Sequence, residues 1–217
     1  MSDKLKILNL YACLGGNRYK WDQVADIEVT AVEIDPELAR LYQERFPNDK
    51  VIVADAHQYL LDHYKEFDFI WSSPPCPTHS RLITSNKNKE SYICKYPDMT
   101  LYQEIIFLEH LYSGKYCVEN VIPYYEPLIP GQKRHRHLYW CNFNLPNILS
   151  NRKSVDWQRT KNEIDLWNDF HDYDFSKYKG NKYRQVGRNL VDYEAGKTIL
   201  ETALGIMNQN KKQLELF

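Results

Sequence analysis

Residues 1–72 alternate two patterns, and this alternation constrains the chain more than anything else in it. KILNLY (6–11), IEVTAVE (27–33), KVIVADA (50–56) and FDFIWSS (67–73) are short runs rich in β-branched and aromatic residues. Between them, residues 21–25, 36–46 and 58–64 suit helices. Pro36 is placed for the first turn of a helix, where its missing N–H is not needed. Leu38, Ala39, Leu41, Tyr42 and Phe46 then fall along one face at helical spacing. Strand–helix–strand alternation of this kind predicts an α/β domain with a mainly parallel sheet.

Beyond residue 73 the character changes. Residues 74–98 form a long polar loop that begins Pro74-Pro75-Cys76-Pro77, and long loops directly after strands are more often functional than decorative. A helix is expected over 98–112, a buried strand over KYCVENV (115–121), and a further strand over RHRHLYWCNF (134–143). Residues 144–183 show little periodicity and suggest an inserted surface module. A last helix is expected from Asp192 to about residue 209, followed by the tail KKQLELF. The expected organisation is therefore a catalytic and cofactor-binding part over 1–141, a small target-recognition segment over 142–183, a return over 184–210 and a tail over 211–217.

Composition matters here for what it excludes. A chain of 217 residues, 43% hydrophobic and 26% charged, suits one soluble domain with a real core. No apolar run approaches the roughly 20 residues that span a bilayer, and MSDKLKILNL lacks the apolar stretch of a signal peptide. The expectation is a cytoplasmic protein with no membrane contact. Five cysteines, at 13, 76, 94, 117 and 141, lack C-x-x-C spacing, which argues against a disulfide framework and a structural zinc site. No metal is expected. A formal net charge of −1 gives no global basic signal, so a nucleic-acid partner would need a local basic face.

Chemistry concentrates at the expected strand ends, where open α/β sheets bind ligands. Cys76 in WSSPPCPTHSR follows a strand and is held by three prolines. Thiolate is its reactive form, and Arg81 or His79 could favour it electrostatically; the bland alternative is a small buried residue beside a turn. LYACLGGN (10–17) follows the first strand, and Gly15 and Gly16 would let the backbone approach a ligand, although a glycine pair alone also fits a plain tight turn. Glu33 ends the second strand about 20 residues on, where an acidic residue commonly binds ribose hydroxyls. Asp55 ends the third. Each carboxylate also fits a helix cap or a solvated charge.

Taken in order, these segments resemble the DNA cytosine-C5 methyltransferase family over nearly the whole chain. LYACLGGN resembles its glycine-rich cofactor turn, AVEIDP (31–36) its ribose-binding segment, VADA (53–56) its third cofactor segment and SPPC (73–76) its catalytic Pro-Cys. VENV (118–121) is similar to its Glu-Asn-Val motif, Gln132-Lys133-Arg134-His135-Arg136 to its Q-x-R-x-R motif, and RQVGRNLV (184–191) to its late Gly-Asn motif. The resemblance implies a Rossmann-like class I methyltransferase fold with a small recognition lobe, and S-adenosyl-L-methionine as cofactor. It implies Cys76 as the nucleophile on C6 of cytosine, since that attack makes C5 electron-rich enough to take a methyl group. Glu119 would donate a proton at N3 if burial keeps it protonated. Arg136, with Arg134, would meet the cytosine O2 and a flanking phosphate, and Asn120 would support the local backbone. The cofactor would lie on Tyr11, Leu14, Gly15 and Gly16, its ribose on Glu33, and its adenine near Asp55 and Ile34, with Pro75, Asn189 and Val191 closing the pocket. Double-stranded DNA is the implied partner. The target base must leave the duplex, with Arg81, Lys87, Lys89, Lys95 and Gln132 as contacts near the loop.

The chain departs from the family pattern in four places. Cys13 stands where the cofactor turn has its first glycine, and Pro77 where the nucleophile is usually followed by Gln. The late motif carries an extra residue at 187–189. The segment 142–183 is short for a target-recognition domain, so a short or loosely read site is expected, with Arg152, Lys153, Gln158, Arg159 and Lys161 as candidate readers. The tail Gln213-Leu214-Glu215-Leu216-Phe217 resembles a bacterial sliding-clamp-binding peptide, which would add a clamp as partner; a final apolar turn on the body is the alternative. Other readings are an RNA cytosine-C5 enzyme, an N4-cytosine or N6-adenine enzyme with its S-P-P loop, and a binding protein on an inactive scaffold.

Overall fold

The computed structural model describes residues 4–85, 93, 95–152, 163–178 and 183–206. In chain order the main elements are β1 (Leu5–Leu10), β2 (Ile27–Glu33), α1 (Pro36–Arg45), β3 (Lys50–Val53), α2 (Ala56–His63), β4 (Phe69–Ser72), α3 (Leu82–Ser85), α4 (Thr100–Leu111), β5 (Lys115–Val121), β6 (Gln132–Arg134), β7 (His137–Cys141), α5 (Glu163–His171), α6 (Tyr183–Asn189) and α7 (Tyr193–Ala203). The seven strands make one sheet in the order β3-β2-β1-β4-β5-β7-β6. The first five are parallel to one another, and β7 enters antiparallel between β5 and β6. This is the Rossmann-like methyltransferase sheet expected from the sequence, with the order turning at β1 and β4.

Both faces of the sheet are covered, as parallel sheets require. Alternate strand residues face opposite ways. Leu8, Leu10, Ile70, Tyr116 and Val118 pack with Ala56 and Leu60 of α2 and with Leu101, Ile105 and Leu108 of α4. Ile7, Val29, Phe69, Trp71 and Cys117 pack on the other face with Trp21 and with Ile199 and Leu200 of α7. Asp35 caps α1 by accepting from the Glu37 and Leu38 amides, and Pro36 follows at the first helical position. Asp192 caps α7 in the same way through the Glu194 amide.

Three expectations change. The helix over 21–25 is a single 3-10 turn, Trp21–Gln23. Arg18 is buried there against Asp49 at 2.8 Å, and Trp21 is fully buried and donates to the Gly196 carbonyl of α7, so tertiary contacts shape the segment more than helix propensity does. The single strand over 134–143 is a hairpin: Arg134 pairs with His137 across a two-residue turn, and His135 takes φ 50 to make it. Finally, the region 144–183 is no loose surface module where it is described. Trp167 of α5, with Phe175 and Tyr178, packs against Leu14 and against Leu38 and Leu41 of α1, together with Val186 and Leu190.

Candidate active site

The C-terminal ends of β1, β2, β3, β4 and β5 lie along one edge of the sheet, where open α/β folds form their ligand crevice. After β1 the chain turns sharply, with Tyr11 (φ 55), Cys13 (φ 48) and Gly15 (φ 66) all in the left-handed region. For Tyr11 and Cys13 that conformation costs about 1 kcal/mol each, so contacts must hold it. The Cys13 amide donates to Glu33 at 2.8 Å and the Ala12 amide to the Val32 carbonyl at 3.0 Å. The Tyr11 hydroxyl donates to Glu104 of α4 at 2.6 Å. A Cβ on Gly15 would overlap the Phe46 ring, and one on Gly16 would sit 2.5 Å from the Val191 carbonyl oxygen. Both positions therefore need glycine, and the Val191 backbone lies against Gly16.

Glu33 is buried at the tip of β2, and its carboxylate accepts from the Cys13 and Asp35 amides at 2.8 and 2.9 Å. Burial pushes its pKa up, while those amides oppose the shift. Glu33 is in register with Val53 of β3, and Asp55 just beyond caps α2 by accepting from the Gln58 amide at 2.9 Å. Ile34 and Val53 are 65% and 56% exposed, an apolar pair beside two carboxylates. Leu14 differs from its expected role: its side chain is buried with Trp167, and its carbonyl accepts from Arg45 at 2.9 Å. Pro75 and Asn189 are exposed.

Cys76 sits at the end of β4 on a tight turn in which its carbonyl accepts from the His79 and Ser80 amides, both at 3.0 Å. Asn120 of β5 donates its side-chain amide to the Pro74 carbonyl at 2.9 Å, which ties the loop carrying Cys76 to the neighbouring strand. The Cys76 thiol is pushed up to about 11, first by burial and then by the negative charge of Glu119 on β5. Glu119 is itself buried, with His137 of β7 3.5 Å from its carboxylate. The thiolate support expected from His79 is not there. His79 is 1% exposed, its Nδ1 is paired with the Tyr125 hydroxyl at 2.5 Å, and burial lowers its pKa. Arg81 is exposed.

Residues 5–106 match the C-5 cytosine-specific DNA methylase family. The likeness to that family rests on this segment. It holds the glycine turn, Glu33, Asp55 and Cys76. No curated protein matches the chain. Among solved structures, a DNMT2 mutant of Spodoptera frugiperda is 25% identical, with 54% of this chain and 36% of that chain covered and a TM-score of 0.40. An S-adenosylmethionine-dependent methyltransferase from Agrobacterium tumefaciens is 16% identical, covering 58% of this chain and 41% of that one, with a TM-score of 0.38. A putative DNA modification methyltransferase of an Escherichia coli prophage is 18% identical, covering 57% and 34%, with a TM-score of 0.39. The chain thus spans about a third of the DNMT2 chain it matches.

Glu119, Gln132, Arg134 and Arg136 lie beyond the matched segment, and the β6–β7 hairpin separates the two arginines. Arg134 donates to the carbonyls of Pro146, Lys133 and Leu145 at 2.6, 2.8 and 2.5 Å. Gln132, two residues earlier on the same face, bonds the Phe143 carbonyl at 2.7 Å and the Leu145 amide at 2.8 Å. Both side chains hold the chain leaving β7, a use that the sequence motif did not reveal. Arg136, at the hairpin tip, is exposed, and its guanidinium makes no hydrogen bond or ion pair among the described residues. Arg152, expected to read bases, is instead paired with Asp192 at 2.9 Å and packed between Phe170 and Tyr193, with ring centroids at 3.9 and 4.0 Å.

Lys87, Lys89, Lys153, Gln158, Arg159, Lys161 and the tail residues Gln213, Leu214, Leu216 and Phe217 lie outside the described residues; Lys95 is exposed. Sequence reasoning missed His137, which faces Glu119, and the group around Glu104. Neither His137 nor Glu104 belongs to a motif; the sheet register places the first and the packing of α4 the second. Among the described residues no cluster of three or more His, Cys, Asp or Glu could hold a metal, and no helix is long and apolar enough to cross a membrane.

Proposed function

We propose that this chain is a DNA cytosine-C5 methyltransferase that takes its methyl group from S-adenosyl-L-methionine. The observation that carries the reading is the pairing of β4 with β5, which brings Glu119 within electrostatic reach of the Cys76 thiol at the sheet's ligand-binding edge. An amino-methyltransferase would need neither group there. The cleft residues also fit the cofactor. Ile34 and Val53 offer an exposed apolar surface for an adenine, Glu33 and Asp55 offer carboxylate oxygens for hydroxyl and amino groups, and the glycine turn leaves room for close backbone approach. The cofactor supplies an electrophilic methyl group.

In this mechanism the base leaves the duplex and its C6 meets Cys76. The Cys76 sulfur adds to C6, the ring's electron density moves toward C5 and N3, and C5 takes the methyl group. A protonated Glu119 donates at N3, and Arg136 meets O2. The thiol proton leaves to solvent as the sulfur adds. Afterwards water takes the C5 proton, N3 returns its proton to Glu119, and Cys76 departs as the thiolate, which restores the aromatic ring. The two side chains help each other. With Glu119 ionised, its charge opposes formation of the thiolate; with a proton on Glu119, that opposition is gone. The DNA contacts are assigned to Arg81 and Arg136 from the described surface, and to Lys87, Lys89 and Arg159 from the residue pattern alone.

The test is covalent trapping. The protein and S-adenosyl-L-methionine are mixed with duplex DNA carrying 5-fluorocytosine at many sites, and adducts are sought on a denaturing gel. An adduct that disappears in Cys76→Ser is expected. Cofactor binding without any adduct on DNA would move the assignment to RNA cytosine or to an exocyclic amine. The tail is proposed to dock on a sliding clamp. Replacing Leu216 and Phe217 by alanine should abolish clamp pull-down while sparing methylation of short oligonucleotides, and clamp binding that survives the change would refute the docking.

A further inference from the structure

One buried carboxylate belongs to none of the sequence segments described above, yet it joins three parts of the site. Glu104 of α4 is fully buried. One of its oxygens accepts from the Tyr11 hydroxyl at 2.6 Å and faces Nδ1 of His57 at 3.0 Å; the other accepts from the Ser72 hydroxyl at 2.5 Å. These partners come from three different parts of the site. Tyr11 opens the glycine turn after β1, Ser72 ends β4 four residues before Cys76, and His57 is the second residue of α2, next to the Asp55 cap. A buried carboxylate needs such partners, because isolation in the interior is strongly unfavourable. All of its donors belong to elements that line the crevice.

We propose that Glu104 is a positioning residue for the methyl donor: through Tyr11, His57 and Ser72 it holds the cofactor turn, the adenine side and the nucleophile strand in one register, and its pairing with His57 makes cofactor affinity depend on pH. The inference rests on the cofactor reading above. Tyr11 makes the case concrete. Its backbone is held in the left-handed region, where a non-glycine residue needs outside support, and its hydroxyl is anchored to Glu104. His57 carries the pH dependence. The groups that face it are Glu104 from α4, Asp55 from its own helix cap and Asp98 from the loop before α4, all acidic, and its pKa is raised chiefly by the Glu104 hydrogen bond. Its side chain is 29% exposed, so solvent protons reach it. Below that pKa the His57–Glu104 contact is a charge-assisted bond. Above it, the bond weakens and the cluster gains a net negative charge.

The test uses S-adenosylhomocysteine, whose binding needs no DNA and no catalysis, measured by calorimetry between pH 5.5 and 8.5. Wild type should bind several-fold more weakly at the upper end. His57→Gln, which cannot titrate, should bind with a flat profile. Glu104→Gln, nearly the same shape without the charge, should lose about ten-fold in affinity and flatten the profile, and Tyr11→Phe should lose affinity while keeping the slope. Thermal unfolding of each variant identifies any that fail to fold, and His57→Gln, at the exposed edge of the cluster, stands in if Glu104→Gln does not. A folded Glu104→Gln or His57→Gln with wild-type affinity and slope would overturn the positioning role and leave the cofactor reading intact. Failure of the wild type itself to bind S-adenosylhomocysteine would overturn both.

Discussion

Cys76 and Glu119 show how single residues acquire chemistry from their surroundings. With its pKa near 11, the Cys76 thiol is overwhelmingly protonated at neutral pH in the free protein. Burial is the larger cause and Glu119 the second, so the two can be separated. Glu119→Gln removes the charge and keeps the burial. Its Cys76 should alkylate with iodoacetamide roughly three- to ten-fold faster at pH 8, since less opposing charge means more thiolate. The same variant should lose methyl transfer, because an amide is a poor proton donor at N3. Faster alkylation with intact methylation would remove Glu119 from the mechanism, and unchanged alkylation would show that its charge does not reach the sulfur. Cys76→Ser provides the background rate of the other four cysteines, of which Cys13 and Cys141 are half-buried and Cys117 fully buried.

At the scale of elements, the β6–β7 hairpin divides two arginines that look equivalent in the sequence. Arg134 satisfies two backbone carbonyls of the strand exit and one of its own strand, whereas Arg136 stands at the turn with its donors open among the described residues. Arg134→Ala should lower stability by about 2–3 kcal/mol, the usual effect of losing charged hydrogen bonds to backbone groups. Arg136→Ala should leave stability within about 0.5 kcal/mol and reduce methyl transfer about 100-fold. Denaturant unfolding and single-turnover methylation measured on both variants decide this. A stable Arg134→Ala, or an active Arg136→Ala, would reverse the assignment. Motif spacing could not separate the two, because the hairpin turn at His135 is invisible to a pattern of basic residues. The motif reads as a strand with both arginines on one face.

For the molecule as a whole, two buried clusters join the late segments to the first half, one holding α5 and α6 on α1 and the glycine turn and the other holding α7 on the sheet. His171 at the end of α5 is 1% exposed, and burial, with Arg45 and Arg152 nearby, pushes its pKa down to about 3. A base depressed in the folded state contributes stability while neutral. That contribution is present above the unfolded value near 6.5 and is lost as pH falls from there toward 3. At pH 5 the loss is about 2 kcal/mol, or roughly 4–8 °C in melting temperature for a chain of this size. His171→Gln should show a flatter decline between pH 7 and 5 in thermal scans; a decline as steep as wild type would place the titration elsewhere.

Much of this architecture could be read from the chain alone. The parallel core and the placing of Gly15-Gly16, Glu33, Asp55 and Cys76 at strand ends follow from periodicity and spacing, because each strand repeats every two residues and each turn carries local chemistry. Glu119 stands out only through the resemblance of VENV to a family motif. What needed the tertiary structure were relations between distant segments. These are Glu104 beneath Tyr11 and Ser72, His137 across from Glu119, His79 withdrawn to Tyr125, and the packing of Trp167 on Leu14. Hydrophobic periodicity reports which face of an element is buried, but not which element covers it. A polar side chain's partner is decided by sheet register and helix packing across the whole chain, so the role of these residues emerges only once the chain has closed on itself.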